Sequence, residues 1–401
     1  MIDTKANIRV YEAEYNRLMN RISSVYRSEP GFKNAQNYIK GLLGSMERKN
    51  GWQLSEYLGE ETPYKIQQFI YRGEYSADEM RDKLRDYIGE SLGENDGVMV
   101  IDDTGFIKKG KKSCGVKCQY SGTAGKVENC QIGVFLTYAS SKGHSPIDRR
   151  LYIPKDWADD RVRLKEAGVP ETVTFKTKPQ MGLEMIKEAT EAGIPYMWVT
   201  GDCAYGDYRE IRNWLEKNKK CYVMCVSGKE YIWDGDSQVT VASVINNLPP
   251  DGWFPASCGD GSKGERIYDW QAFEIETDRW SEGWKRVMLI RRSKTDPKDI
   301  RAHICHAPND TPDEKFIQTA GVRWTVERCF QDSKSEVGLD QYEVRSHDGW
   351  YRHITFACLA LALLTVLSNL PVGQDNPKSM QQFNPGSSSL DVFKRGRYLR
   401  V

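Results

Sequence analysis

Apolar residues recur at three- and four-residue spacing through YEAEYNRLMNRISSVY, AQNYIKGLLGSMERKNG and ADEMRDKLRDYIGESL, a period that predicts amphipathic helices over residues 1 to about 95. Gly51 and Gly93 look like helix stops. The run from Asn50 to Ser55, with a second short helix after it, fits a helix-turn-helix and fits a bundle corner as well. The texture then changes to strands. Gly97 to Asp103 is a short apolar run ending in two carboxylates, Cys130 to Tyr138 is a second β-rich run, and Leu151 to Ile153 before Pro154 is a third. Helical spacing returns around Met181 to Ala192. A fourth strand over Pro195 to Asp202, a helix over Asp207 to Asn218 and a fifth strand over Cys221 to Val226 follow. Three strands and then strand-helix-strand alternation predict an α/β fold with a mixed sheet flanked by helices. From 229 to about 308, turns rich in Gly, Asp and Trp surround short strands such as Val287 to Arg291, as in an inserted β-rich subdomain. Helical texture resumes through Leu370, and the remainder, with NPGSSS and few large apolar residues, reads as a loosely held extension. The expected units are 1–95, 96–228, 229–308, 309–370 and 371–401.

Composition narrows the class of protein. Hydrophobic residues at 39% and charged residues at 28% exclude wholesale disorder and a fibrous repeat, so the 401-residue chain buries a real core. The longest apolar stretch, Ile354 to Leu367, is shorter than the roughly 18 residues of a membrane span and reads as a core helix. The first residues carry no apolar leader region, which points to the compartment of synthesis, the cytosol. Ten scattered cysteines without a leader are expected as free thiols, and neither Cys114 with Cys118 nor Cys221 with Cys225 has the further ligands of a zinc site. The net charge of +1 leaves nucleic-acid binding to local patches. Residues 1–95 hold 14 Lys or Arg against 15 Asp or Glu, so they form no basic stripe.

Candidate chemistry lies where strands end. Two of them end in Asp, and the helix RWTVERCFQDSK carries further charges. At about 100° per residue, Arg323, Glu327 and Lys334 share one narrow face with Phe330, which suits an ion-paired helix surface and also a site facing DNA. Carboxylates gathered from separate elements supply the hard oxygen ligands that Mg²⁺ prefers, and phosphoryl transfer needs such ions.

The segments VIDDTGFIKKGKKSCGV, QYSGTAGKVENCQIGVFLTYAS, VTGDCAYGD and RWTVERCFQDSKSEVGLDQYEVRSHDGWYRHIT, in that order, resemble the DDE transposases of bacterial insertion sequences, in the branch whose third carboxylate sits in a Tyr-Arg-Glu-Lys signature. The resemblance runs from about Val98 to Leu370, and Asn34 to Gly93 looks like that family's N-terminal helical region. It implies a ribonuclease-H-like mixed-sheet core, with the stretch from 229 to about 308 as the insertion between the second and third carboxylates. It implies Asp103, the Asp before Thr, as the first catalytic carboxylate and metal ligand, with Asp202 and Glu327 as the second and third and Asp102 as a neighbour. Strand alternation in the sequence leaves Asp102 and Asp103 open, because both faces of a central strand are buried. Arg323 and Lys334 occupy the signature's Arg and Lys positions, and Ala320 stands where the signature has Tyr, which leaves hairpin-forming cleavage open.

The activity so implied is Mg²⁺-dependent cutting of element ends and joining of 3′-hydroxyls to target DNA, with Mn²⁺ able to substitute. Its partners would be terminal inverted repeats, target DNA and a second copy in a synaptic complex, with no membrane, at the nucleoid of a bacterial or archaeal cytosol. A nuclease of the same fold without joining, and a non-catalytic DNA-binding regulator, are the alternatives. Lys108, Lys109, Lys111 and Lys112, in a Gly-containing loop just past Asp103, are expected at DNA phosphates together with Arg323 and Lys334. Trp253, Trp270, Trp280 and Trp284 are stacking candidates that read mostly as core, and His347, His353 and Trp350 read as packed or ion-paired. Gly122 to Gly125 lacks the Lys-Ser or Lys-Thr of a phosphate loop.

Overall fold

The computed structural model describes residues 4–234, 237–261, 264–275 and 282–370; the expected tail over 371–401 and Trp280 lie outside the described residues. Five helices come first: α1 (Thr4–Ser23), α2 (Glu29–Leu43), α3 (Gly51–Tyr57), α4 (Tyr64–Arg72) and α5 (Ala77–Ser91). Ser28, Asn50 and Ser76 cap α2, α3 and α5 by accepting from first-turn N–H groups, which explains where those helices start. The apolar stripe seen in the sequence, including Leu18, Ile22, Ile39, Leu42, Leu84 and Ile88, is fully buried.

The chain then lays down β1 (Val98–Ile107), β2 (Lys117–Ser121), β3 (Lys126–Ser140) and β4 (Gly143–Tyr152). Short helices α6 (Lys155–Ala158) and α7 (Arg161–Glu166) lead to α8 (Lys178–Glu191), whose start is set by a capping box between Thr177 and Gln180. Next come β5 (Trp198–Gly201), α9 (Cys203–Gly206), α10 (Arg209–Lys217) and β6 (Cys221–Val226). β3 is antiparallel to β1, β4 is antiparallel to β3, and β5 and β6 are parallel to β1. The resulting order β4-β3-β1-β5-β6, with helices on both faces, is the ribonuclease-H-like arrangement.

The remaining strands are β7 (Tyr231–Asp234) and β8 (Ser237–Thr240), then, after α11 (Val241–Asn246), β9 (Phe254–Gly261), β10 (Gly264–Ile275), β11 (Trp284–Arg292) and β12 (Ile300–Pro308). β12 pairs with β6, and β11, β10 and β9 continue outward. The stretch read as an inserted subdomain therefore extends the core sheet to ten strands, covering the edge that β6 would otherwise leave unpaired. β7 and β8 pair with each other.

Two long helices complete the core: α12 (Asp313–Val337) and α13 (His347–Ser368). α12 lies across β9, β1, β5 and β6. It comes so close to β9 that a Cβ at Gly321 would sit 1.8 Å from the Cys258 carbonyl oxygen. It ends at Gly338, whose φ of 66° is the left-handed cap conformation that glycine adopts most readily. α13 is long and apolar enough to span a membrane by composition, yet every residue from His353 to Leu367 is buried. It packs against β4, α5, α2 and α12, as expected of a helix that is apolar all round.

Candidate active site

The parallel pairing of β1 with β5 places Ile101 opposite Gly201, so Asp102 stands beside Asp202 where β5 ends; β1 itself does not end at Asp103, as its apolar run suggested, but continues to Ile107 in pairing with β3. Side chains alternate along β1. Ile101 points toward α8, where a Cβ at Gly182 would lie 3.0 Å from its Cγ2. Asp103 has the same parity and faces the same way, accepting from Lys178 Nζ at 3.0 and 3.1 Å and from the Tyr205 hydroxyl at 3.2 Å. Asp102 and Thr104 face α12 instead. Arg323 Nη1 lies 3.8 Å from Asp102 Oδ2, and Lys334 Nζ donates to Thr104 Oγ1 at 2.8 Å.

The electrostatics follow from this crowding. Burial, then the charges of Asp202 and Asp103, push the Asp102 carboxyl up to about 7. Burial and Asp103 also raise Asp202, although its carboxylate accepts from Ala204 N at 2.9 Å as the cap of α9. Three carboxylates thus feel one another where the middle of β1 passes the end of β5. Their oxygens are the donor type a hard divalent cation takes, and its charge would relieve the repulsion.

Glu327 is set apart from the other three. Its side chain is 54% exposed and accepts from Arg323 at 2.8 Å, one helical turn away. Among the described residues, no three acidic, His or Cys side chains close around a common point. The convergence of Asp103, Asp202 and Glu327 implied by the resemblance is therefore absent from this arrangement: Arg323 holds Glu327 outward, and alternation turns Asp103 to the α8 face while Asp102 takes the α12 face.

The expected basic residues divide as well. Lys334 reaches Thr104, Thr123 at 3.0 Å and the Gly105 carbonyl, and burial lowers its pKa. Lys109, Lys111 and Lys112 are exposed. Lys108 is not a free phosphate ligand. Its ammonium sits 3.4 Å from the centre of the Tyr342 ring and donates to the Tyr342 carbonyl, and burial lowers its pKa to about 8.

Several residues lining the site carried no signal in the sequence. Lys178 is the first residue of α8, where its neighbours mark only a helix start. Tyr205 lies three residues after Asp202 in VTGDCAYGD, a spacing that could have pointed to it. Thr123 comes from the SGTAG turn, where it accepts from Lys334. Beside Asp202, Cys203 Sγ lies 3.2 Å from Cys225 Sγ, both free thiols, as are all ten cysteines.

The aromatic and histidine candidates resolve mostly as packing. Trp270 and Trp350 are buried, Trp284 stacks on His306 with ring centres 4.8 Å apart, and Trp253 lies under Arg292. His347 pairs with Asp348, and buried His353 accepts from the Tyr38 hydroxyl at Nδ1 and donates from Nε2 to the Gly338 carbonyl.

Comparison with known proteins adds an independent line. The model of the DDE superfamily endonuclease family matches residues 24–244, more than half of the chain, and that of the transposase DDE domain matches residues 183–363. A probable transposase for insertion sequence element IS701 from Microchaete diplosiphon is 22% identical over 312 residues, covering 76% of this chain and 74% of that protein. The crystal structure of the NurA nuclease from Sulfolobus solfataricus aligns over 64% of this chain and 86% of its own at 9% identity, with a TM-score of 0.27.

Proposed function

This chain belongs to the DDE superfamily of endonucleases, among the transposases of insertion sequences, and we propose that it cuts element ends and joins the freed 3′-hydroxyls to target DNA. The observation that carries this reading is the set of carboxylates gathered where the middle of β1 passes the end of β5, with Asp102 turned toward α12, which bears Glu327 between Arg323 and Lys334.

Asp103, Asp202 and Glu327 would hold divalent metal, Mg²⁺ or Mn²⁺, once Asp103 leaves Lys178 and Glu327 leaves Arg323, with Asp102 as a fourth carboxylate. The bound ions would activate the attacking water or 3′-hydroxyl and stabilise the leaving oxygen. In the DNA-free arrangement Lys178 and Tyr205 hold Asp103 on the α8 face. Arg323 is placed to exchange Glu327 for a DNA phosphate, which would free the third carboxylate when substrate arrives. Lys334 ties α12 to the middle of β1 through Thr104 and to the β2–β3 turn through Thr123, placed to meet the strand that would be cut. Action on terminal repeats within a dimer or larger complex, at the nucleoid, belongs to the same proposal.

The test is a joining assay with the full chain, Mg²⁺, a labelled duplex carrying the element end and a supercoiled target plasmid. Covalent transfer of label into the plasmid is the expected result. Cleavage that leaves every 3′-hydroxyl free would make the protein a nuclease, and binding without cleavage would make it a regulator.

A further inference from the structure

A recess of about 280 Å³ lies between the loop after β1, α7 and the segment before α13, and its walls include Lys111, Lys112, Arg163 and Arg345. It is held together by the chain itself. Arg163 donates to the Lys111 carbonyl at 3.3 Å, and Cys114 N donates to the Arg345 carbonyl at 2.8 Å. The Arg163 guanidinium lies 3.7 Å from the ring centre of Trp157, which is buried and donates to the Val116 carbonyl.

None of these four cations has a carboxylate partner among the described residues, whereas Arg81, Arg85, Arg150 and Arg286 are each paired with one. Glu166 is the one acidic residue of the recess, so four positive charges face one negative. A solvated lysine face would be convex; a concave set of unpaired cations suits an anion with several oxygens.

A second cavity, of about 380 Å³, adjoins the first, and Tyr71 and Arg345 line both. Its volume falls within the roughly 300–1,000 Å³ of small-molecule sites. Its surface is mainly apolar, with Tyr38, Leu54, Ile66 and Tyr342 among its walls, and the charged Lys49 and Glu343 line it as well. Gln67 and Gln68 supply amides with no hydrogen-bond partner among the described residues. Tyr71, 47% exposed, has the Arg72 guanidinium 5.9 Å from its ring centre, over one face.

We propose that the two cavities together take up one unpaired nucleotide of a DNA strand, its phosphate in the cationic recess and its base against Tyr71 in the aromatic cavity, where the amides of Gln67 and Gln68 meet the base edge. The inference rests on the reading of this chain as a DNA-acting enzyme. A base inside a duplex hides its faces in the stack, so only a base turned out of the helix can enter such a cavity.

The experiment measures binding of the full chain to labelled duplexes of one sequence, blunt or carrying a single unpaired nucleotide, by fluorescence anisotropy at fixed salt. The unpaired nucleotide should tighten binding by at least about fivefold, the low end of a base-aromatic stack. Tyr71→Ala should remove that preference. Arg345→Gln, an exposed position expected to fold, should weaken binding of the unpaired-nucleotide duplex and flatten its salt dependence more than for the blunt one. Equal affinity of the wild-type chain for both duplexes, or loss on both alike in the variants, would overturn the inference. Competition by a free deoxynucleoside monophosphate without any preference between duplexes would replace it with a free-nucleotide site. Failure to bind either DNA would instead remove the DNA reading on which it stands.

Discussion

The Arg323 guanidinium donates to the Glu327 carboxylate at 2.8 Å, one turn along α12, and so keeps that carboxylate away from Asp102 and Asp202. Arg323→Ala should free Glu327 for metal. An exposed pair contributes about 0.5 kcal/mol, so the DNA-free chain should bind Mn²⁺ roughly twofold to threefold more tightly, while cleavage slows because a phosphate contact is lost. Calorimetric titration of Mn²⁺ against single-turnover cleavage separates the two effects. Unchanged Mn²⁺ affinity would mean that the ion pair does not compete with metal.

Asp102 and Asp103 occupy opposite faces of one strand, so isosteric substitutions distinguish them. Asp103→Asn should abolish cleavage, by a thousandfold or more on the rough scale of metal-assisted catalysis, and leave DNA binding largely intact. Asp102→Asn should retain measurable activity. The reverse outcome, with Asp102→Asn the inactive variant, would assign the ligand to the carboxylate that shares the α12 face with Glu327.

The loop lysines should behave as two classes. Lys108→Ala removes a buried cation from the Tyr342 ring and should lower folding stability by about 1 kcal/mol with little effect on the salt dependence of DNA binding. Replacing Lys109, Lys111 and Lys112 with Ala should do the opposite, weakening binding to unrelated DNA sequences and flattening the salt slope. Thermal melts and binding isotherms at several salt concentrations read the two effects apart.

Stability should fall in acid through buried histidines. Burial lowers the pKa of His144 to about 4, of His303 to about 3 and of His353 to about 4. In the unfolded chain these groups titrate near 6.5, so between about pH 3 and 6.5 the unfolded state binds more protons than the folded one. Their contribution is complete above pH 6.5 and is lost as pH falls through that window. Denaturant midpoints at pH 7, 6 and 5 should decline in order. His353→Gln should lower the midpoint at pH 7, because contacts to Tyr38 and Gly338 are lost, yet make the decline shallower. An unchanged slope would remove His353 from the acid response.

Much of the architecture is legible in local pattern. The apolar run before Asp102 and Asp103, the one before Asp202 and the all-apolar Ile354 to Leu367 specify two central strands and a core helix, because side-chain period and burial are properties of a few consecutive residues. The candidate carboxylates stand out for the same reason, as charges at the ends of runs that otherwise exclude them. Other features depend on segments far apart in the chain. The β12–β6 pairing that joins 229–308 to the core sheet, the meeting of Lys178 and Tyr205 at Asp103, and the turn of Lys108 toward Tyr342 are of this kind. The division of Asp102 from Asp103 is another. A central strand is covered on both faces, so its sequence carries no mark of which face is which, and only the packing of α8 on one side and α12 on the other decides it.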